Sequence, residues 1–468
     1  MFAQDLIIIL PTLIVAAWAI ALLVVDLFIP GNRTGRPGGR GITALLAALG
    51  LAVALGVTLA LGRSVGQPEP GFYGMAVLDG FAIYANILIL GSGLLGIALA
   101  YDYLRRMDIE RGEYYVLLMI STAGMMLMVQ AYDLIVVFLA LELLSIPLYV
   151  LAGFARPRPE SEESALKYFL LGAFAAAFFL YGAALIYGST EHTDLTGIIT
   201  AVREGGANFD PNLLLVGAAL LLVGLGFKVS AVPFHMWTPD VYQGAPTPVT
   251  GWMAVSVKVA GLVALLRVFI VAFPPLSESL APVLGVLAGL TMIVGNLVAI
   301  AQSNIKRMLA YSSIAHVGYL LMAFVAYGSG EVVSSAVAAT LYYLFAYGVT
   351  SFAAWGAVTA VEQCEGRGLE IQDYAGLGRK YPWLGLAMAA AMFSFTGIPL
   401  TLGFWGKFYV FQAAIQNGAV GLALVGLLPS LFSAYYYLRV LVVMFMVPGP
   451  VAAEGQAEAE LPVSKDGW

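Results

Sequence analysis

Along this chain, runs of about 20 apolar residues follow one another almost without pause. Each is long enough to cross roughly 30 Å of hydrocarbon as a helix. Polar residues gather in short segments between the runs. The pattern predicts thirteen spans, near 5–29, 42–62, 79–101, 114–131, 133–153, 163–188, 212–231, 249–272, 280–302, 307–327, 331–361, 383–415 and 420–447. A half-helix is expected near 239–245, after the seventh. The eleventh and twelfth spans exceed what a straight crossing needs, so they must tilt, bend or break. The predicted class is an all-α polytopic membrane protein of about 13 transmembrane helices.

Composition agrees. Of 468 residues, 61% are hydrophobic and 11% charged, against about 25% charged in soluble domains. The N-terminal run lacks a basic leader and is too long for a signal segment, so it reads as a retained first helix. A single cysteine, Cys364, excludes an internal disulfide and any cysteine cluster for a metal or iron–sulfur group. Nothing indicates nucleic-acid binding.

Basic residues are distributed unevenly. Alternate loops carry Arg33, Arg36, Arg40, Arg105, Arg106, Arg111, Arg156, Arg158, Lys306, Arg307, Arg367, Arg379 and Lys380, whereas the opposite loops carry Arg63 and Arg203. The positive-inside rule puts the basic loops in the cytoplasm and the N-terminus outside. Thirteen spans then leave the acidic tail 448–468 inside, where its composition predicts disorder. Arg267 and Arg439 lie near span ends and are expected to snorkel to the interface.

Glu142, Lys228, Lys258 and Lys407 lie deep within apolar runs. Each costs roughly 2.5–3.5 kcal/mol at a bilayer centre, and such charges usually mark a path for ions or protons. In GLGFKVSAVPFHMWTPDVYQGAPTPVTG (224–251), Pro233 breaks the helix after Lys228, and His235 stands on the far side of the break. Broken backbone at this depth must line protein or water; the plainer alternative is a proline kink with a snorkelling lysine. In SFTGIPLTLGFWGKFYV (394–410), Gly397, Pro399 and Gly403 interrupt a second span and Lys407 follows. Two interrupted helices at matching places predict two inverted five-helix repeats. Glu142 must pair with a cation or carry a proton, and Lys167 is the nearest basic candidate. A purely structural Glu–Lys pair remains an alternative. His316 is either a satisfied core group or a proton relay. GSGLLG (91–96) imitates a dinucleotide fingerprint, but its place inside a span predicts helix packing instead.

Four stretches carry a resemblance: ALKYFLLGAFAAAFFLYGAALIYG, GLGFKVSAVPFHMWTPDVYQGAPTPV, KRMLAYSSIAHVGY and GFWGKF. They resemble the antiporter-like membrane subunits of respiratory complex I over residues 75–447. LELLSIPLYVLAGF around Glu142, and a lysine at 407 where the M-type has glutamate, point to the subunit N type. The resemblance implies a proton-translocating subunit of NADH:quinone oxidoreductase in the bacterial inner membrane, beside M-type and K-type neighbours. It implies no cofactor on this chain, with FMN, iron–sulfur clusters and quinone on partner subunits. It implies that Glu142, Lys167, Lys228, Lys258 and Lys407 form the charged axis, with His235 and His316 at hydrophilic positions along it. It also implies units at 1–112, 113–273 and 274–447, and a fourteenth helix where thirteen are read here. Two rivals remain: a subunit of a multi-subunit sodium/proton antiporter, and a passive scaffold.

Overall fold

The computed structural model describes residues 2–29, 40–63, 70–205, 209–325, 331–363 and 367–449. Cys364 and the tail beyond 449 lie outside the described residues. Among those described, seventeen helices follow one another: α1 (Phe2–Asp26), α2 (Arg40–Gly62), α3 (Gly80–Arg106), α4 (Glu113–Gln130), α5 (Leu134–Ala152), α6 (Pro159–Thr190), α7 (Leu195–Glu204), α8 (Pro211–Val229), α9 (Trp237–Gly244), α10 (Thr247–Ala272), α11 (Ser277–Ile300), α12 (Ile305–Phe324), α13 (Glu331–Val361), α14 (Leu377–Lys380), α15 (Pro382–Thr396), α16 (Leu402–Gln416) and α17 (Val420–Met446). Their starts are written in the sequence. Asp79, Asp133, Asp194, Asp210, Asn304 and Thr401 cap α3, α5, α7, α8, α12 and α16 through their side chains, supplying acceptors for first-turn N–H groups.

Eleven helices are individually long and apolar enough to cross a membrane. The other two expected crossings are α12, which spends its length on buried polar residues, and the broken pair α15–α16. The seventh crossing also breaks, between α8 and the half-helix α9. α13 does not: its 31 residues form one helix, about 46 Å long, so the excess is taken up without interruption. The segment after Thr190, read from sequence as loop, contains the ten-residue α7. It buries only Leu195 and Ile198 and is too short to span.

Packing repeats across the chain. α4 lies on α5 as α11 lies on α12; α6 packs on the broken α8 as α13 packs on α16; α10 closes on α4 as α17 closes on α11. Five crossings are an odd number, so a second copy of the unit enters from the opposite face. α10 forms the axis, with every residue from Thr247 to Phe269 buried. α1, α2, α6 and α17 turn rows of leucine, isoleucine and phenylalanine outward, as surfaces against lipid do.

Small residues set the close approaches. A Cβ on Gly124 would run into the backbone of Leu143 and Leu144, so α4 and α5 meet at a glycine. In the GSGLLG stretch, Cβ atoms at Gly93 and Gly96 would stand 2.9 Å from Leu51 and 3.0 Å from Trp252; this is the packing use its position predicts.

The basic loops gather at one end. Arg158 reaches Met107 Sδ at 3.7 Å and Glu362 at 3.8 Å, Arg106 donates to the carbonyls of Thr359 and Ala360, and Asn304 pairs with Glu370. Two expectations for single cations change. Arg267 does not snorkel: its side chain is buried and forms a two-pronged pair with Asp79 at 2.8 and 2.9 Å, among Phe81 and Tyr132. The interface would have cost it the pair and both ring contacts. Lys306, read as a loop residue, is 1% exposed inside α12 and donates to the Ala245 carbonyl at 2.6 Å. Arg439 stays half-buried, donating to the Ile300 carbonyl at 3.3 Å.

Candidate proton-transfer site

The first break is built from α8. Ser230 ends the helix in the left-handed region at φ 70°, leaving late carbonyls of α8 without intrahelical partners. Lys258, on α10, donates to one of them, Val229 O, at 3.1 Å. One residue before Val229, Lys228 points the other way. Its ammonium donates to Ser145 Oγ at 2.7 Å and Tyr168 OH at 3.3 Å, and lies 5.3 Å from the centre of the Tyr168 ring. Tyr168 stacks on Trp237 of the half-helix, 4.4 Å between ring centres, so the lysine's partner is fixed by the segment beyond the break. Ser145 in turn donates to Leu141 O.

Glu142 lies on α5 three residues before Ser145, on the same helical face. It is half-buried, its Oε1 makes no hydrogen bond, and Lys228 is the cation whose field reaches it. Glu142 and Lys228 therefore form a through-space pair with the Ser145 hydroxyl beside them. Lys167 is not Glu142's partner. It sits on the wetter end of α6 and pairs at 2.6 Å with both Glu163 and Asp240. The sequence could not show this, because Asp240 arrives from α9, 73 residues later.

The second break uses the same device. α15 ends at Gly397 with φ 86°, and Lys407 of α16 donates to Thr396 O at 3.0 Å and Ser430 Oγ at 2.9 Å, 5.1 Å from the Tyr319 ring centre. The order is reversed relative to the first half: Lys228 precedes its break and Lys407 follows its own. The half-helices meet at Gly403, whose N–H donates to Ser394 Oγ at 3.0 Å and where a Cβ would collide with Ser394 O. Gly403→Ala is therefore expected to push α15 and α16 apart. Overpacking of this kind costs about 1–3 kcal/mol. The melting temperature of the purified complex should fall, with little change for Gly418→Ala on the open outer loop beyond its backbone strain.

His316 of α12 joins the halves. Its Nδ1 shares a hydrogen bond with Tyr343 OH at 2.7 Å and its Nε2 one with Tyr437 OH at 3.1 Å. It lies within electrostatic reach of both Lys258 and Lys407. Around it the sequence reading missed a tyrosine network: Tyr347 OH donates to Ser313, Tyr436 OH to Asn296, and Asn296 to Tyr319. Tyrosines recurring through α12, α13 and α17 were the available signal. His235 does not join this series. It lies in the connection before α9, half-buried, next to the exposed Met236, and no hydrogen bond links it to Lys228 among the described residues.

Also missed was Asp240, which binds Lys167 on one side and Arg307 Nη1 at 2.7 Å on the other. Among the described residues, no three His, Cys, Asp or Glu side chains group as a metal site would require. None of Lys228, Lys258 and Lys407 has an ion pair among the described residues.

Broken helices, buried lysines and a tyrosine-lined histidine define an antiporter-like membrane subunit, and residues 131–433 match the family described as NADH:quinone oxidoreductase/Mrp antiporter, TM. The fold matches a chain in the respiratory complex I of Thermus thermophilus with bound aureothin, with a TM-score of 0.78 and 38% identity over 94% of this chain and 91% of that one. It also matches a chain of the Mrp complex from Dietzia sp., with a TM-score of 0.83 over 100% of this chain and 86% of that one; at 22% identity this likeness is one of fold. The chain belongs to the NADH-quinone oxidoreductase subunit N family. It is 45% identical over 97% of its length, and 88% of the relative's, to NADH-quinone oxidoreductase subunit N 2 of Roseiflexus castenholzii.

Proposed function

We propose that this chain translocates protons within a multi-subunit NADH:quinone oxidoreductase, along Glu142, Lys228, Lys258, His316 and Lys407, in that order. The observation that carries the reading is the set of three buried lysines with no counter-ion in contact among the described residues, each held by a hydroxyl or by a carbonyl freed at a helix break. A permanently charged, unpaired lysine has no structural use at such depth. One that gains and loses a proton does. Moving a charge against 100 mV takes about 2.3 kcal/mol, less than two pKa units at about 1.36 kcal/mol each. Moving a lysine towards or away from a carboxylate such as Glu142 can supply that. Lys167 then belongs to the entrance, not to the buried pair, and His235, half-buried in the connection before α9, stands apart from the path.

On this reading the chain is part of a translocase and holds no redox centre; FMN, iron–sulfur clusters and quinone act on partner subunits, with M-type and K-type subunits as membrane neighbours. The functional units are residues 1–112, 113–273 and 274–447. The protein lies in the bacterial inner membrane with its N-terminus outside, its basic loops in the cytoplasm and residues 448–468 as a cytoplasmic tail. Sodium is disfavoured as cargo, because sodium sites use carboxylate and carbonyl oxygens and this axis offers one carboxylate against three lysines. The test is Lys228→Met in the assembled complex reconstituted in vesicles. Proton uptake driven by quinone reduction should fall by about 10²-fold, the usual scale for loss of a positioned proton-transfer group. Uptake at the parental rate by a fully assembled complex overturns the path, and sodium-dependent transport overturns the cargo.

A further inference from the structure

At the basic-loop end lies a cavity of about 460 Å³; its Lys167 side serves the entrance above, and its Glu362 side is left unused by that path. Arg158, Lys167, Asp240, Lys306, Arg307 and Glu362 line it. Glu362, at its floor, is 2% exposed and is approached from five elements. Tyr103 OH of α3 donates to its Oε1 at 3.0 Å, Thr247 of α10 donates to its Oε2, and Arg158 at the start of α6 stands 3.8 Å away. Lys306 of α12 and the buried Tyr374 complete its electrostatic surroundings. A buried carboxylate at the foot of a polar cavity is a place where a proton from solvent can be taken up.

α12 runs from this floor to His316. Lys306, Ser313 and His316 share one stripe: seven residues, or two turns of about 10 Å, separate the first two, and a further turn reaches the third. Ser313 accepts from Tyr347 OH at 2.9 Å, and the Tyr242 hydroxyl lies within its electrostatic reach. The Tyr347 ring centre lies 5.2 Å from that of His316. Tyr242 directly precedes Gln243, Gly244 and Ala245 of the cavity wall. Among the described residues, neither the two turns between Lys306 and Ser313 nor the step from Tyr347 to His316, whose ring nitrogens are held by Tyr343 and Tyr437, has a side-chain hydrogen bond, and proton passage over both needs water.

We propose that this cavity is a second proton inlet, with Glu362 as its loading group, which feeds His316 along α12 in the same turnover as the Lys228 branch, so that loss of either branch slows the whole cycle. Lys306 releases a proton toward the Ser313–Tyr242–Tyr347 hydroxyls, and Glu362 reloads it. Each hydroxyl accepts one proton as it passes one on, and Glu362 takes a replacement from solvent. The net change is one proton moved from solvent to His316. The inference rests on protons being the cargo.

The test uses the assembled complex in vesicles, with complex content, quinone reduction and proton uptake measured together. Glu362→Gln keeps the shape and the acceptor for Tyr103 but carries no proton on that scale; Glu362→Asp keeps the carboxylate but shortens its reach. Proton uptake is expected to fall three- to tenfold in Glu362→Gln and in Ser313→Ala, and to be largely restored in Glu362→Asp. A merely structural Glu362 gives the opposite ranking, Gln tolerated and Asp harmful, and overturns the proposal. Normal uptake in both Glu362→Gln and Ser313→Ala, with Lys228→Met impaired, overturns this inlet and leaves the main path standing. Loss of uptake in Glu362→Gln and Ser313→Ala, with Lys228→Met unaffected, supports this inlet and removes the first half of the main path.

Discussion

Lys407→Met will abolish most proton translocation by the assembled complex, with quinone reduction falling alongside it and complex content preserved. Methionine fills nearly the volume of the lysine stem but offers neither a proton nor a donor. Two acceptors then lose their partner, Thr396 O and Ser430 Oγ. An unmet buried acceptor costs about 1–3 kcal/mol, a dent in stability that a protein with this much buried surface can absorb. The functional loss should reach about 10²-fold. Lys407→Arg separates the two roles. Arginine can still donate to the α15 carbonyl but cannot give up its proton in a protein. Recovery of pumping by arginine would mean that Lys407 only holds the break together. Stability recovered without pumping would mean that it carries the proton.

The second large effect lies far from the lysines. Asp79→Asn will destabilise the complex by about 3 kcal/mol, because it leaves the Arg267 guanidinium buried without its partner. Asparagine keeps the cap on Ala82 N–H, so the loss isolates the charge. Removing both charges, as in Asp79→Asn with Arg267→Met, should recover most of the loss. The pH dependence follows from the carboxyl. Desolvation would raise it, but the hydrogen bonds and charge of Arg267 win, and Asp79 is held below its ordinary value. A depressed carboxylate contributes its full stability above the unfolded value of about 3.9 and loses it as pH falls through the lower folded value. Parent and Asp79→Asn should therefore differ by the same amount at pH 7 and pH 5 in thermal unfolding. A gap that closes between those two values would contradict the pairing.

What the sequence disclosed follows one physical rule. A charge within 20 apolar residues has nowhere to hide, so Lys228, Lys258, Lys407 and Glu142 could be picked out at once, and so could prolines at membrane depth. The same rule concealed Lys306, Asp240, Glu362 and the Asp79–Arg267 pair. They stand at helix ends, where charge is ordinary, and only folding reveals that those ends are buried. Partner choice was equally hidden. Glu142 and Lys167 lie on consecutive helices and invite pairing, yet Asp240 claims the lysine across 73 residues. α7 escaped because a search for spans passes over ten residues of low hydrophobicity, although their apolar positions do recur at helical spacing.

The lysines at the two breaks have one more consequence. An amine that has released its proton still has two N–H bonds. Val229 O and Thr396 O can therefore stay bound to Lys258 and Lys407 whether or not those groups are charged. A carboxylate in the same post would switch from acceptor to donor with each proton and pull the backbone with it. On the proposed path the fractured helices are thus indifferent to the load: the framework can stand still while charge passes, and mechanical work is left to whatever displaces Glu142.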